Sequence, residues 1–245
     1  MTSIGIFDYG AGNLHSLLKA IEGEGRSVSV DTDIRSALDA DILILPGVGA
    51  FGAAVAAMRG AQEYVRDALA DGKPCLGVCL GMQMLFDASE EAGSGKGGKR
   101  EAGSGKGGKR EAGSGKRESD AGIGLIPGQV IRLQTPKVPH MGWNEIEWVE
   151  REAGSGKRPA TNRQPALFSC DQHQSQLRAA YFANAYVCTP EDSSTVLAWT
   201  THQDARFASV VRSANTVGVQ FHPEKSSVAG RSFVNGVIDQ LAQCK

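Results

Sequence analysis

The chain has 245 residues, 41% of them hydrophobic and 22% charged, with a formal net charge of -1 at pH 7. That length and apolar content fit one large α/β domain with a substantial core, spanning residues 1–245. Near-neutrality excludes a global attraction to phosphate backbones or anionic lipid, so neither nucleic acid nor membrane is an expected partner.

The first half alternates strand and helix signals. Residues 3–7 (SIGIF) read as a buried strand that follows Met1 without the basic stretch of a secretory leader. Leu14, Leu17, Leu18 and Ile21 keep the spacing of one helix face, and Gly23 and Gly25 stop it. Residues 27–30 (SVSV), 41–45 (DILIL) and 74–78 (PCLGV) read as further strands, and 53–69 as a single helix. The longest uncharged stretch, 42–58, is broken by Pro46, Gly47, Gly49 and Gly52, which excludes a membrane span. A β-α-β-α series predicts a three-layer, flavodoxin-like or Rossmann-like α/β fold, with helices on both faces of a mostly parallel sheet. Such sheets bind ligands at the carboxyl ends of their strands, where the loops after DILIL and PCLGV lie.

Two segments break this order. EAGSGKGGKR occupies 91–100 and again 101–110, EAGSGKR follows at 111–117, and EAGSGKR returns at 152–158. Repetition without apolar periodicity cannot supply a core, so flexible surface insertions are expected at 90–120 and 150–160. Gly93 to Lys99 has the spacing of a phosphate loop, but Arg100 stands where Ser or Thr is needed, and the strand and helix that should flank it are missing. In the second half, 129–133, 144–148, 179–187, 195–201, 206–211 and 216–221 read as strands, and 227–241 as a closing amphipathic helix. Strand-rich second halves pair partly antiparallel, so a mixed sheet is expected.

The cysteines are Cys75, Cys79, Cys170, Cys188 and Cys244, an odd set without metal-ligand spacing. Free thiols in a reducing, cytoplasmic compartment are expected, with no metal and no cofactor. Cys79 stands apart because Gly77 and Gly81 flank it at a strand-to-helix seam, the Gly-x-nucleophile-x-Gly pattern of an elbow that projects its side chain at the sheet's edge. A cysteine nucleophile needs a base, and the base needs an orienting group. His222 ends a strand before Pro223, which favours extended backbone, so Glu224 can lie on the same face and hold the imidazole. The amide of Leu80 and one from the loop Pro46-Gly47-Val48-Gly49 could receive the charge of a tetrahedral intermediate, and the helix start at Leu80 favours a thiolate. Taken singly, HPE could be a surface turn and PGVG a plain connection.

Together these pieces resemble the class I (triad) glutamine amidotransferases, and within them the glutaminase subunits of imidazole glycerol phosphate synthase. The resemblance covers approximately 1–89 and 121–245, and rests on residues 8–13 (DYGAGN), 46–49 (PGVG), 77–83 (GVCLGMQ), 139–144 (PHMGWN) and 222–226 (HPEKS). It implies that Cys79 attacks the side-chain amide of glutamine, with His222 moving protons and Glu224 orienting it. It further implies that Gly49 and Gln83 contact the glutamine and that Val48 and Leu80 donate to the oxyanion. Ammonia would pass to a (β/α)8-barrel cyclase of histidine biosynthesis, the partner in a heterodimer, and Asn13, Trp143 and Lys225 fall in motifs at or near that interface. One strand departs from the family pattern: Tyr-Phe-Val-His-Ser-Tyr is replaced by Tyr181-Phe182-Ala183-Asn184-Ala185-Tyr186, which removes two side-chain hydrogen-bonding options. The alternatives are an amidotransferase serving a chorismate-using or other synthase, a non-catalytic binding subunit of the same fold, and polyanion binding by the repeats.

Overall fold

A two-residue alternation builds the centre of the molecule. Ile4, Ile6, Ile42, Ile44, Leu76, Val78, Val217 and Val219 face one apolar cluster, while Phe7, Leu43, Leu45 and Cys75 face a second on the other side. Strands buried on both faces are the mark of a parallel sheet covered twice. The computed structural model describes residues 1–10, 12, 14–91, 121–150 and 177–244. The repeats from residue 92 onward, Asn13 and Cys170 lie outside the described residues.

The strands are β1 (Thr2–Phe7), β2 (Arg26–Asp31), β3 (Ile42–Leu45), β4 (Cys75–Val78), β5 (Phe86–Ser89), β6 (Ile126–Arg132), β7 (His140–Glu145), β8 (Glu147–Trp148), β9 (Ala179–Asn184), β10 (Tyr186–Pro190), β11 (Val196–His202), β12 (Ala205–Ser213) and β13 (Thr216–Val219). The main sheet has the order β2-β1-β3-β4-β13-β12-β11-β8. Its first five strands run parallel, and β12, β11 and β8 join antiparallel, giving the expected mixed sheet. Beside it stand a three-stranded sheet, β10-β6-β5, and the pair β7-β9.

The helices are α1 (Leu14–Ile21), α2 (Ile34–Leu38), α3 (Phe51–Ala57), α4 (Gln62–Ala70), α5 (Leu80–Met84) and α6 (Ser227–Leu241). Leu17, Ala20 and Ile21 of α1 and Phe233, Val234 and Val237 of α6 pack into the first cluster, whereas α2, α3 and α4 pack into the second, completing three layers. Among the described residues no helix is long and apolar enough to cross a membrane.

Three local readings are corrected. The helix expected over 53–69 is two, because Arg59 and Gly60 both take positive φ (51° and 78°) and end α3 before α4 begins. The strand expected over 179–187 divides at Ala185, with β9 pairing β7 and β10 pairing β6 in a different sheet. The strand expected over 144–148 likewise divides, between the end of β7 and the short β8.

Candidate active site

Glycine is required on both sides of Cys79 because the backbone folds onto itself there. A Cβ on Gly81 would lie 2.0 Å from the Leu45 carbonyl oxygen, and one on Gly77 would lie 2.7 Å from the Gly81 oxygen. Only glycine permits contacts this close. Cys79 itself sits at φ 49°, ψ -102°, a conformation that costs a side-chain-bearing residue of order 1–3 kcal/mol. Its amide is tied to the Val219 carbonyl at 2.6 Å and its carbonyl to the Gln83 amide at 3.1 Å. The thiol thereby stands at the junction of β4 and α5, at the carboxyl edge of the parallel strands.

The pairing of β13 beside β4 crosses the gap between Cys79 and the second motif, because β13 leads straight into 220–224. His222 is 1% exposed, and its Nδ1 lies 2.9 Å from Glu224 Oε1. Burial disfavours a charged ring, but the neighbouring Cys79 and the hydrogen-bonded Glu224, with their negative charge, outweigh it and push the His222 pKa up to about 10. The imidazole therefore neighbours both sulfur and carboxylate, with Nδ1 given to the carboxylate and the other ring nitrogen left for sulfur. Such an arrangement can serve as a nucleophile, its base and an orienting acid. A narrow cleft lined by Gly12, Pro46, Val48, His222 and Glu224 opens beside it.

The PGVG loop crosses the same edge. A Cβ on Gly47 would meet the Val78 oxygen at 2.7 Å, and Gly49 takes φ 140° with its α-carbon face against the Tyr9 ring and the Leu80 side chain. Tyr9 Oη donates to the Pro46 carbonyl at 2.5 Å, with Val48 next along the same loop. Burial, then the charge of Cys79 and of Asp8, raises the Tyr9 pKa well above its usual value, so the hydroxyl stays neutral. Val48 and Gly49 thus lie beside the elbow, on a loop that Tyr9 holds through the Pro46 carbonyl.

Gln83 is turned inward: its Nε2 donates to the Tyr186 carbonyl at 3.1 Å and to Gln220 Oε1 at 3.3 Å. Gln220, fully buried, donates from Nε2 to Cys79 Sγ at 3.5 Å. The sequence reading missed Gln220 and the anchoring role of Tyr9. The available signal for Gln220 was a polar side chain inside an otherwise apolar strand end, two residues before His222.

The remaining expected residues gather on the outer surface. Trp143 and Met141 on β7 are 56% and 63% exposed, and the Trp143 ring meets Tyr181 of β9 edge-on at 6.4 Å. Lys225 Nζ stands 6.0 Å from the centre of the same Tyr181 ring. This patch is bonded to the interior by backbone: the His222 amide donates to the Tyr181 carbonyl at 2.9 Å, and Ser226 Oγ donates to the His222 carbonyl while accepting from the Tyr181 amide. Cys79, Leu80, Gln83, His222 and Glu224 are thus brought together, and Trp143 and Lys225 each approach the Tyr181 ring further out.

Comparison with known proteins decides the family. The sequence profile described as glutamine amidotransferase class-I matches residues 5–237. The chain belongs to the class I glutamine amidotransferases. Among relatives of this amidotransferase, proteins named imidazole glycerol phosphate synthase subunit HisH are 36% identical in Halobacterium salinarum, covering 98% of this chain and 94% of the relative, and 34% identical in Pyrococcus furiosus, covering 94% and 95%. The HisH protein of Acaryochloris marina is 33% identical over 98% of this chain and 96% of its own length. The amidotransferase fold is shared with a solved glutamine amidotransferase at TM-score 0.62 and 15% identity, covering 97% of this chain and 98% of that one. It is shared also with PurLQS from Thermotoga maritima at TM-score 0.60 and 15% identity, covering 99% of each chain.

Proposed function

We propose that this amidotransferase hydrolyses glutamine as the glutaminase subunit of an imidazole glycerol phosphate synthase in histidine biosynthesis. The observation that carries the reading is the buried Cys79, held on a strained elbow and facing a His222 ring whose far nitrogen is fixed by Glu224. The names of its relatives supply the synthase.

In the reaction, the Cys79 thiolate attacks the side-chain carbonyl carbon of glutamine; a C–S bond forms and the carbonyl electrons move to oxygen. The Leu80 amide, at the start of α5, receives that oxyanion, and the Val48 amide joins it. His222, charged in the resting site, gives its proton to the departing nitrogen, so ammonia leaves and a thioester remains. Water then attacks the thioester, His222 takes its proton, and the C–S bond breaks to give glutamate and the thiolate. Gly49 and Gln83 border the glutamine.

Ammonia is passed to a (β/α)8-barrel cyclase in a cytoplasmic heterodimer. The exposed Met141 and Trp143, with the Tyr181 ring beside Trp143 and Lys225 at the rim, suit the partner face, since aromatic side chains and methionine are enriched at interface centres. Asn13 belongs to the same expected face. The test is to supply glutamine with and without the cyclase and its ribonucleotide ligand, and to treat the chain with an electrophilic glutamine analogue. Glutamate release that rises with the partner, and covalent capture at Cys79, are expected; an unmodified Cys79 would rule the reading out.

A further inference from the structure

The strand that departs from the family pattern leads to a buried chain of amides ending on the Cys79 sulfur. The chain begins at the Tyr186 carbonyl, which can only accept hydrogen bonds. Asn184 Nδ2 and Gln83 Nε2 both approach it at 3.1 Å. Because a carbonyl requires a donor, the atom of Gln83 facing it is nitrogen, and the same nitrogen donates to the next group, Gln220 Oε1, at 3.3 Å. That contact in turn fixes which end of the Gln220 amide is oxygen. Its NH2 is left facing Cys79 Sγ at 3.5 Å. The direction of every amide therefore follows from one obligate acceptor, in a site where Gln220 is fully buried, Asn184 is 4% exposed and Gln83 is 5% exposed.

An N–H aimed at sulfur distinguishes the two forms of the side chain. A thiolate accepts it with full charge assistance, whereas a neutral thiol accepts it weakly. Helix α5 has only five residues, so its dipole is slight, and the burden of favouring thiolate falls on side chains. His222 is one. Gln220 stands two positions earlier in chain and reaches the same atom.

We propose that Gln220 is a further catalytic residue, which holds the Cys79 sulfur in place and stabilises its thiolate through the Gln220 Nε2–H, with Gln83 and Asn184 as positioning residues that keep the amide in that orientation. The assignment rests on Cys79 being the nucleophile of glutamine hydrolysis. It gives Asn184 a task in this chain other than touching glutamine, since its amide shares the carbonyl that anchors Gln83.

The experiment follows alkylation of Cys79 by iodoacetamide across pH 5 to 10, read by peptide mass at that residue, in the wild type, Gln220→Met and Gln83→Met. Gln220→Met keeps the length of the side chain and removes the donor; Gln83→Met keeps the donor and frees the amide to turn. In Gln220→Met the midpoint of the pH profile should rise by roughly one pH unit, the scale of one hydrogen bond to a charged group, while the high-pH plateau stays within about twofold. Gln83→Met should move it the same way by a smaller amount. A profile that superimposes on the wild type, or a change in the plateau alone, overturns the proposal, because lost packing alters access to sulfur without altering its ionisation. Should Gln220→Met fail to fold, judged by thermal melting, Gln83→Met decides. Glutamine hydrolysis is measured in parallel with the cyclase present: kcat should fall about tenfold in Gln220→Met with KM within about twofold. A wild type that is alkylated normally yet releases no glutamate defeats the glutaminase reading, whereas the alkylation profiles still decide the place of Gln220.

Discussion

His222 Nδ1 and Glu224 Oε1 are 2.9 Å apart, a hydrogen bond that spans two residues and leaves the two side chains only 2% and 5% exposed. A contact this local is enforced by the backbone itself: Pro223 fixes the extended entry, and the turn over Pro223–Lys225 brings the carboxylate back to the ring. Glu224→Gln should therefore leave the chain folded but lower kcat for glutamine by about a hundredfold or more, with KM changed less than about threefold, because it lets the ring turn and removes the charge that supports its protonated form. Steady-state kinetics of the two proteins checks this.

The two buried histidines should shift stability with pH in opposite directions. His222 has its pKa raised from 6.5 to about 10, so the folded state holds this proton more tightly than the unfolded chain does. Its contribution is complete below about pH 6.5 and is lost as pH rises toward 10. His140, stacked on His202 at 3.9 Å between ring centres, has its pKa lowered to about 4, first by burial and then by the charge of His202. Stability should fall as pH drops from about 6.5 to 4, where only the unfolded chain takes up that proton. Melting temperatures across pH 4 to 10 test both: His140→Phe should flatten the acid side and His222→Gln the alkaline side.

Gly81→Ala should be far more damaging than an exposed Gly→Ala change. Its methyl would fall on the Leu45 carbonyl, which belongs to the buried strand β3 and cannot retreat without opening the sheet. A loss of about 3 kcal/mol or more is expected, or a failure to fold. Gly23→Ala, where no atom lies within 4 Å of the added carbon, is the control and should change the denaturation midpoint little.

Tyr9→Phe should raise hydrolysis measured without a partner. The ring would still rest on Gly49, but the hydroxyl that holds the Pro46 carbonyl would be gone, loosening the loop beside the elbow so that its amides can turn toward the oxyanion. The gain should be about fivefold, the worth of one hydrogen bond of about 1 kcal/mol, and should vanish when the cyclase and its ligand are present. Glutamate release in the two conditions separates this from a general loss of activity.

The sequence made most of the framework readable because a parallel strand buried on both faces writes an unbroken apolar run, as in Ile42–Leu45, and because α1 and α6 carry full helical spacing. Cys79, His222 and Glu224 were readable for a different reason: glycine and proline record backbone demands that few other residues meet. What stayed hidden depended on contact across the fold. α2 is one short turn capped by Asp33, too brief for periodicity to register, and the break at Arg59–Gly60 was signalled by one glycine alone, against apolar spacing that runs on either side of it. Gln220 is an ordinary polar letter until β13 is laid beside β4, and the hold of Tyr9 on the Pro46 carbonyl requires knowing where the first loop folds.

The bond from the His222 amide to the Tyr181 carbonyl has a mechanical consequence. Tyr181 carries its ring on the outside, between Trp143 and Lys225, and its carbonyl on the inside, so a single residue spans the wall between surface and reaction chamber. A change at Tyr181 that shifts its backbone is therefore felt at the His222 amide, whereas one confined to the ring leaves that hydrogen bond in place.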